Sequence, residues 1–200
     1  GIQFILLRAT KDLLQLATHL KMDEALNEIN NWVDLLTTGS QWLWNETVGG
    51  YCARDIRTGN FSDGITNASM LCFYANVGNE LQQKKMGAHC ERILNKCKYA
   101  FPSWDPEHKS FDKIRYWRGP IWLIMNYMIG KGLREQGFDM LAKRIIDDTK
   151  SLVDESGMAE YFDPIEGSPL GGRNFSWTAA IYLEMSSAEG SEPIISNLAL

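Results

Sequence analysis

The sequence predicts an all-α protein built from successive helical hairpins, and three observations predict it. Apolar residues recur at three- and four-residue intervals over long stretches of the 200 residues. Loops rich in Gly, Asp, Asn and Pro separate those stretches. No fixed-period self-similarity of the tetratricopeptide or ankyrin kind is present, so the hairpins pack otherwise than as a solenoid. A bundle fits this pattern, and so does a closed ring of helical pairs with apolar inner helices and a pocket formed by the loops at one end.

The spacing places helices over 2–20, 23–46, 66–79, 80–98, 119–136, 138–155 and 174–188. The first begins abruptly: Ile2, Phe4, Ile5 and Leu6 enter a helical pattern with no Ser, Thr, Asp or Asn start signal, which reads as a truncated protein. Between the second and third helices, Gly49 to Gly64 alternates and turns. Cys90 and Cys97 lie two turns apart on the fourth helix, too far to bridge, so these and Cys52 and Cys72 read as buried free thiols. Pro102 to Gly119 is a long aromatic loop, and Gly119 with Pro120 suits a helix start in which proline fixes the first turn. Met125 to Met128 packs in a core. Gly157 to Arg173 reads as an ordered irregular loop, in which Tyr161 and Phe162 resist solvation while Pro164, Gly167 and Pro169 set bends. Gly171 and Gly172 permit close approach or positive φ before the last helix resumes at Ser176.

Bulk properties exclude several classes of function. A hydrophobic content of 44% and a charged content of 22% suit one domain, or part of one, with a sizeable core. The net charge of -5, with lysines and arginines scattered, leaves no basic stripe for a phosphate backbone, so nucleic acid is not a partner. No apolar run approaches the ~20 residues of a membrane span, and the chain reads as soluble, with no membrane partner. His19, His89 and His108 form no metal-ligand spacing, so no metal and no cofactor are expected. Neither a GxSxG elbow, a GxGxxG loop nor a Walker lysine occurs.

Two aromatic clusters carry the chemistry. One is RYWRGPIW from Arg115 to Trp122; the other is EYFDPIEGSPLGGRNFSW from Glu160 to Trp177. Inverting hydrolysis of a glycosidic bond needs one carboxyl group to protonate the leaving oxygen and a carboxylate to take a proton from water on the opposite sugar face. Glu160, flanked by Tyr161 and Phe162, is the candidate for the second role; a solvated loop glutamate is the plainer alternative. Trp117 and Trp122 can offer flat faces to the C–H side of a pyranose, and Arg118 can donate in a fork to hydroxyls or a carboxylate. Against that, both tryptophans could be core and Arg118 structural.

At these residues the chain resembles glycoside hydrolase family 63, which includes mannosylglycerate hydrolase-like and processing α-glucosidase enzymes. The likeness runs through YWRGPIWLIMNY from Tyr116, EYFDPIEG from Glu160 and GGRNFSWTAA from Gly171, in that order, and extends more weakly through LLRATKDLLQLATHLKM and WNETVGGYCARDIRTG. It implies an (α/α)6 toroid, here an incomplete barrel, with residues 1–200 forming the C-terminal part of one catalytic domain. It also implies inverting hydrolysis of an α-linked glucoside or mannoside, Glu160 as general base, and a sugar pocket lined or shaped by Tyr116, Trp117, Arg118, Gly119, Trp122, Tyr161 and Trp177. The family's general acid is an aspartate upstream of the segment resembling Ile2 to Leu20, and no such residue precedes it here.

The expected partners are therefore a carbohydrate substrate and the missing N-terminal half of the barrel. Without that half the chain is expected to expose apolar surface and to be poorly active. Were the chain complete, Asp63 would be the first candidate acid and Asp112 the second. The competing function is a catalytically inactive carbohydrate-binding or structural helical module. Relatives of this kind occupy both cytoplasm and secretory compartments; cytoplasm is favoured, with the choice open.

Overall fold

A computed structural model describes residues 1–187. In chain order the elements are α1 (Ile2–His19), α2 (Asp23–Gln41), β1 (Trp44–Asn45), β2 (Gly50–Tyr51), α3 (Asn67–Tyr74), α4 (Glu80–Leu94), α5 (Leu123–Glu135), α6 (Asp139–Ser156), β3 (Ala159–Phe162), β4 (Pro169–Arg173) and α7 (Ser176–Ser187). The mainly helical expectation holds, and two short antiparallel hairpins, β1–β2 and β3–β4, are additions to it. Residue 188, the expected end of the last helix, lies outside the described residues.

Several boundaries move inward for identifiable reasons. The second helix stops at Gln41 instead of running to 46, because the chain turns into β1, where Trp44 pairs with Tyr51. The third and fourth end at Tyr74 and Leu94, not 79 and 98. The fifth starts at Leu123, not 119: Ile121 is paired with Phe162 of β3 in both directions, at 2.8 and 3.1 Å, so Pro120 precedes a bridge residue and does not open the helix. The stretch expected to be an irregular loop contains the β3–β4 hairpin.

The helices sort by neighbour and burial. α3 buries Asn67 and every residue from Ser69 to Phe73, so it is covered nearly all round, as an inner helix should be. α5 packs against α3, α6 and α7, while α1 packs on α2 and α3. One core contains Phe4, Met70, Phe73, Ile93, Phe101 and Trp122. A second lies under the β3–β4 hairpin and contains Tyr99, Ile121, Leu152 and Phe162. All four cysteines are free and buried, as expected.

The segments leading into α3, α5 and α7 are stitched together at one end. Thr66 bridges Trp104, and the Asp105 amide donates to the Ile65 carbonyl at 3.1 Å. Ile121 bridges Phe162, and the Thr178 hydroxyl donates to the Ala159 carbonyl at 2.6 Å. The N-termini of three helices thereby converge on the same aromatic loops.

α1 and α2 carry an uncovered apolar face. Ile2 is 77% exposed and Leu35 71%, and a cavity of about 230 Å³ between the two helices is walled by residues including Leu13, Leu16, Leu20 and Trp32. Contiguous apolar patches of this kind drive association. Replacing Leu13, Leu16 and Leu35 by Gln, a good helix former, is expected to reduce concentration-dependent self-association of the 200-residue chain in sedimentation experiments. Unchanged association would acquit this face. Among the described residues no helix is long and apolar enough to cross a membrane.

Candidate active site

The aromatic loop before α5 and the β3–β4 hairpin bring most of the expected site residues together. Trp122, the residue before α5, is only 3% exposed and forms the centre of a ring stack. Trp117 lies over one face, with centroids 4.2 Å apart and planes at 6°, and Tyr161 lies at 5.1 Å and 21°. Tyr116 meets Trp122 and Tyr161 edge-on, at 4.9 and 5.2 Å. Offset and edge-to-face contacts of this kind each contribute about 0.5–1.5 kcal/mol beyond area burial.

Tyr116 adopts φ 33°, in the left-handed region that a non-glycine residue occupies at a cost of about 1–3 kcal/mol. Its edge contacts offset that cost, together with a hydrogen bond from the Trp122 indole nitrogen to its carbonyl at 3.1 Å. The Tyr116 hydroxyl donates to Oε1 of Glu160 at 3.2 Å, and the Gly172 amide donates to Oε2 at 3.2 Å. Burial, then the bond to Glu160, raises the Tyr116 pKa, so the phenol stays protonated and able to donate. Glu160 is thus on a strand, half-buried and held on both oxygens, and is not a freely solvated loop carboxylate.

The remaining expected residues divide. Gly119 is buried; its amide donates to the Ser103 hydroxyl at 2.9 Å, and a Cβ there would lie 2.2 Å from the Asp112 carbonyl oxygen, so it closes the loop. Arg118 donates from Nε to the Ser110 carbonyl at 3.1 Å, which ties the guanidinium back onto the same loop. Trp177, in the first turn of α7, is 60% exposed and tilts against Phe175; among the described residues it makes no ring contact with the stack. With Trp117 at 43% and Tyr116 at 48% exposure, the platform is an open shelf.

Three supporting residues escaped the sequence reading. Asn126 is fully buried and clasps the loop: its side-chain oxygen accepts from the Phe101 amide at 2.7 Å, and its nitrogen donates to the Phe101 and Trp122 carbonyls. A lone amide in the apolar run LIMNYMI was the available signal. Asp163, 2% exposed, pairs with Lys113 at 3.1 Å and accepts the Ile165 and Glu166 amides, so it pins the aromatic loop to the end of β3. Thr178 anchors α7 to β3 beside Glu160.

Asp63, the first internal candidate acid, lacks the required environment. Asp63 is exposed, lies 3.1 Å from the Nε2 of His108 and pairs with Lys109 at 3.5 Å; an amide hydrogen bond and the bond to His108 hold its carboxyl below the usual range, whereas a general acid needs a raised pKa. The Asp112 carboxylate accepts the Ile114 amide at 3.2 Å in a local turn. Among the described residues no cluster of three or more His, Cys, Asp or Glu could hold a metal.

Known proteins share both sequence and shape with this chain. Mannosylglycerate hydrolase from Thermus thermophilus is 36% identical over 183 residues, covering 92% of this chain and 44% of that protein. Mannosylglycerate hydrolase MGH1 from Selaginella moellendorffii is 38% identical over 181 residues, covering 90% and 37%. The crystal structure of a GH63 mannosylglycerate hydrolase from Thermus thermophilus in complex with glucose matches with a TM-score of 0.87 at 35% identity, over 92% of this chain and 47% of that one. Neutral trehalase Nth1 from Saccharomyces cerevisiae, at 16% identity and a TM-score of 0.71, is alike in fold alone. The hairpins are thus those of an (α/α)6 toroid, and the chain spans less than half the length of these relatives. Residues 1–178 match the mannosylglycerate hydrolase MGH1-like glycoside hydrolase domain, and the chain belongs to that family.

Proposed function

We propose that this chain supplies the base side of an inverting α-glycosidase site acting on a mannoside or glucoside such as mannosylglycerate or glucosylglycerate. The observation that carries the reading is a carboxylate, Glu160, held on both oxygens beside a stacked aromatic shelf. The names of the relatives support the substrate class. Glu160 is the general base. It takes a proton from water as the water oxygen bonds to the anomeric carbon, while the glycosidic C–O bond breaks and a carboxylic acid on the opposite face protonates the leaving oxygen; configuration inverts.

Tyr116, Trp117 and Tyr161 form the sugar platform over the buried Trp122, which shapes it; Arg118 and Gly119 shape its rim, and Trp177 borders it from α7. The acid belongs to polypeptide outside these 200 residues, which form the C-terminal part of a single barrel domain. The share of the relatives' length left uncovered, and the environment of Asp63, support that assignment.

The test compares Glu160→Gln with the parent in the intact polypeptide, on α-mannosyl- and α-glucosylglycerate, with the anomer of the first-formed sugar followed by NMR. Loss of turnover in the variant and an inverted product in the parent are expected. Equal turnover would remove Glu160 from the mechanism, and a retained anomer would remove inversion. Sugar binding without product in the parent would favour a binding module.

A further inference from the structure

The β3–β4 ladder is irregular at one place only, and that place is Glu160. Ala159 pairs with Arg173 and Tyr161 pairs with Leu170, so a single residue of β3 faces two residues of β4, Gly171 and Gly172. This is a β-bulge, a device that breaks the ladder locally and re-aims the side chain opposite it. Gly171 sits at φ 71°, in the left-handed region. A Cβ at Gly171 would lie 2.6 Å from Oε2 of Glu160, 2.6 Å from Cε1 of Tyr161 and 2.9 Å from Cβ of Glu160. Both the backbone conformation and the space therefore exclude a side chain there. The next amide, that of Gly172, points at Oε2.

We propose that the Gly171–Gly172 bulge and the Tyr116 hydroxyl are positioning elements that fix the Glu160 carboxylate, a role that rests on Glu160 being the base. Each oxygen receives one donor, and the two donors come from different segments: the bulge in β4 and the aromatic loop ahead of α5. A carboxylate held this way has its remaining lone pairs directed by the grip, so the approach of water is set before substrate arrives. Displacing a reacting group by about 1 Å can cost about 100-fold in rate.

Gly171→Ala is expected to lower kcat by about 100-fold, and because its Cβ would also meet the Tyr161 ring of the shelf, KM should rise as well. In a Glu160→Gln background the same substitution should produce no further loss of residual turnover. Tyr116→Phe, which keeps the ring contacts and deletes only the donor, should likewise lower kcat in the parent and leave the Glu160→Gln enzyme unchanged; it decides the matter if Gly171→Ala does not fold. A crystal structure of Gly171→Ala should show the Glu160 carboxylate beyond hydrogen-bond distance of the Tyr116 hydroxyl. Wild-type kcat in both variants, an equal loss in the Glu160→Gln background, or an undisplaced carboxylate would overturn the proposal. Undiminished turnover of Glu160→Gln itself would strike the base assignment instead, so the two failures are separable.

Discussion

Glu160→Gln is expected to lower kcat by about 10²–10⁴-fold, the range a positioned general base contributes, while sugar affinity stays within a few-fold. The isosteric amide can keep the local geometry. With its oxygen turned toward the Gly172 amide, its nitrogen donates to the Tyr116 hydroxyl, which accepts as readily as it donates. The stacked rings of Trp117, Trp122 and Tyr161 do not depend on the charge of residue 160. What the amide cannot do is accept a proton from water. Steady-state kinetics together with calorimetry on the same samples would check both halves. A tenfold or smaller fall in kcat would show that another group takes the proton, and a parallel collapse of affinity would show that the substitution disturbed the shelf.

The sequence disclosed the helices more fully than the ends of the loops. Apolar spacing located the seven helices of the described residues, since each buries a face against a neighbour and the 3.6-residue period records that burial. It overran at Gln41, where the β1–β2 hairpin begins, and at Leu123, where a contact made by a residue distant in sequence delays the helix. The bridge of Ile121 to Phe162, which delays the fifth helix, is invisible in GPIWL. β3 and β4 were hidden for a related reason: a four-residue strand paired with one containing Gly171 and Gly172 has no alternation to reveal it. Those glycines suggested close approach, yet what they approach, the carboxylate of Glu160, became evident only from the ladder register.

The site residues divide along the same line. Tyr116, Trp117, Trp122, Glu160 and Tyr161 stood in two aromatic segments, and the structure brings them together. Trp177 carries the same residue chemistry but stands with Phe175 at the edge of α7. Composition marks a residue's capacity to stack; which partner it stacks on is decided by tertiary packing. Asn126 and Asp163 hold the loop in place from buried positions, and their partners, Phe101 and Lys113, are 25 and 50 residues away, so their neighbours in sequence do not mark the role.

Trp122→Ala should have the largest effect on stability, about 3–5 kcal/mol, in line with truncation of a buried aromatic. The indole is 3% exposed, lies between Trp117 and Tyr161, and supplies the N–H that satisfies the Tyr116 carbonyl. Removing it opens a cavity in the main core and withdraws the contacts that offset the left-handed conformation of Tyr116. Tyr116 then loses its fixed position, and Glu160 loses the donor on Oε1. Stability, sugar binding and turnover should therefore fall together. Trp122→Phe separates the contributions: it restores part of the stack but leaves the Tyr116 carbonyl without its donor, so it should recover more stability than turnover. Urea unfolding of the parent and both variants, alongside sugar calorimetry, provides the comparison. A loss below about 1 kcal/mol for Trp122→Ala would mean that the shelf is held by the loop backbone and the Lys113–Asp163 pair, with Trp122 a passenger.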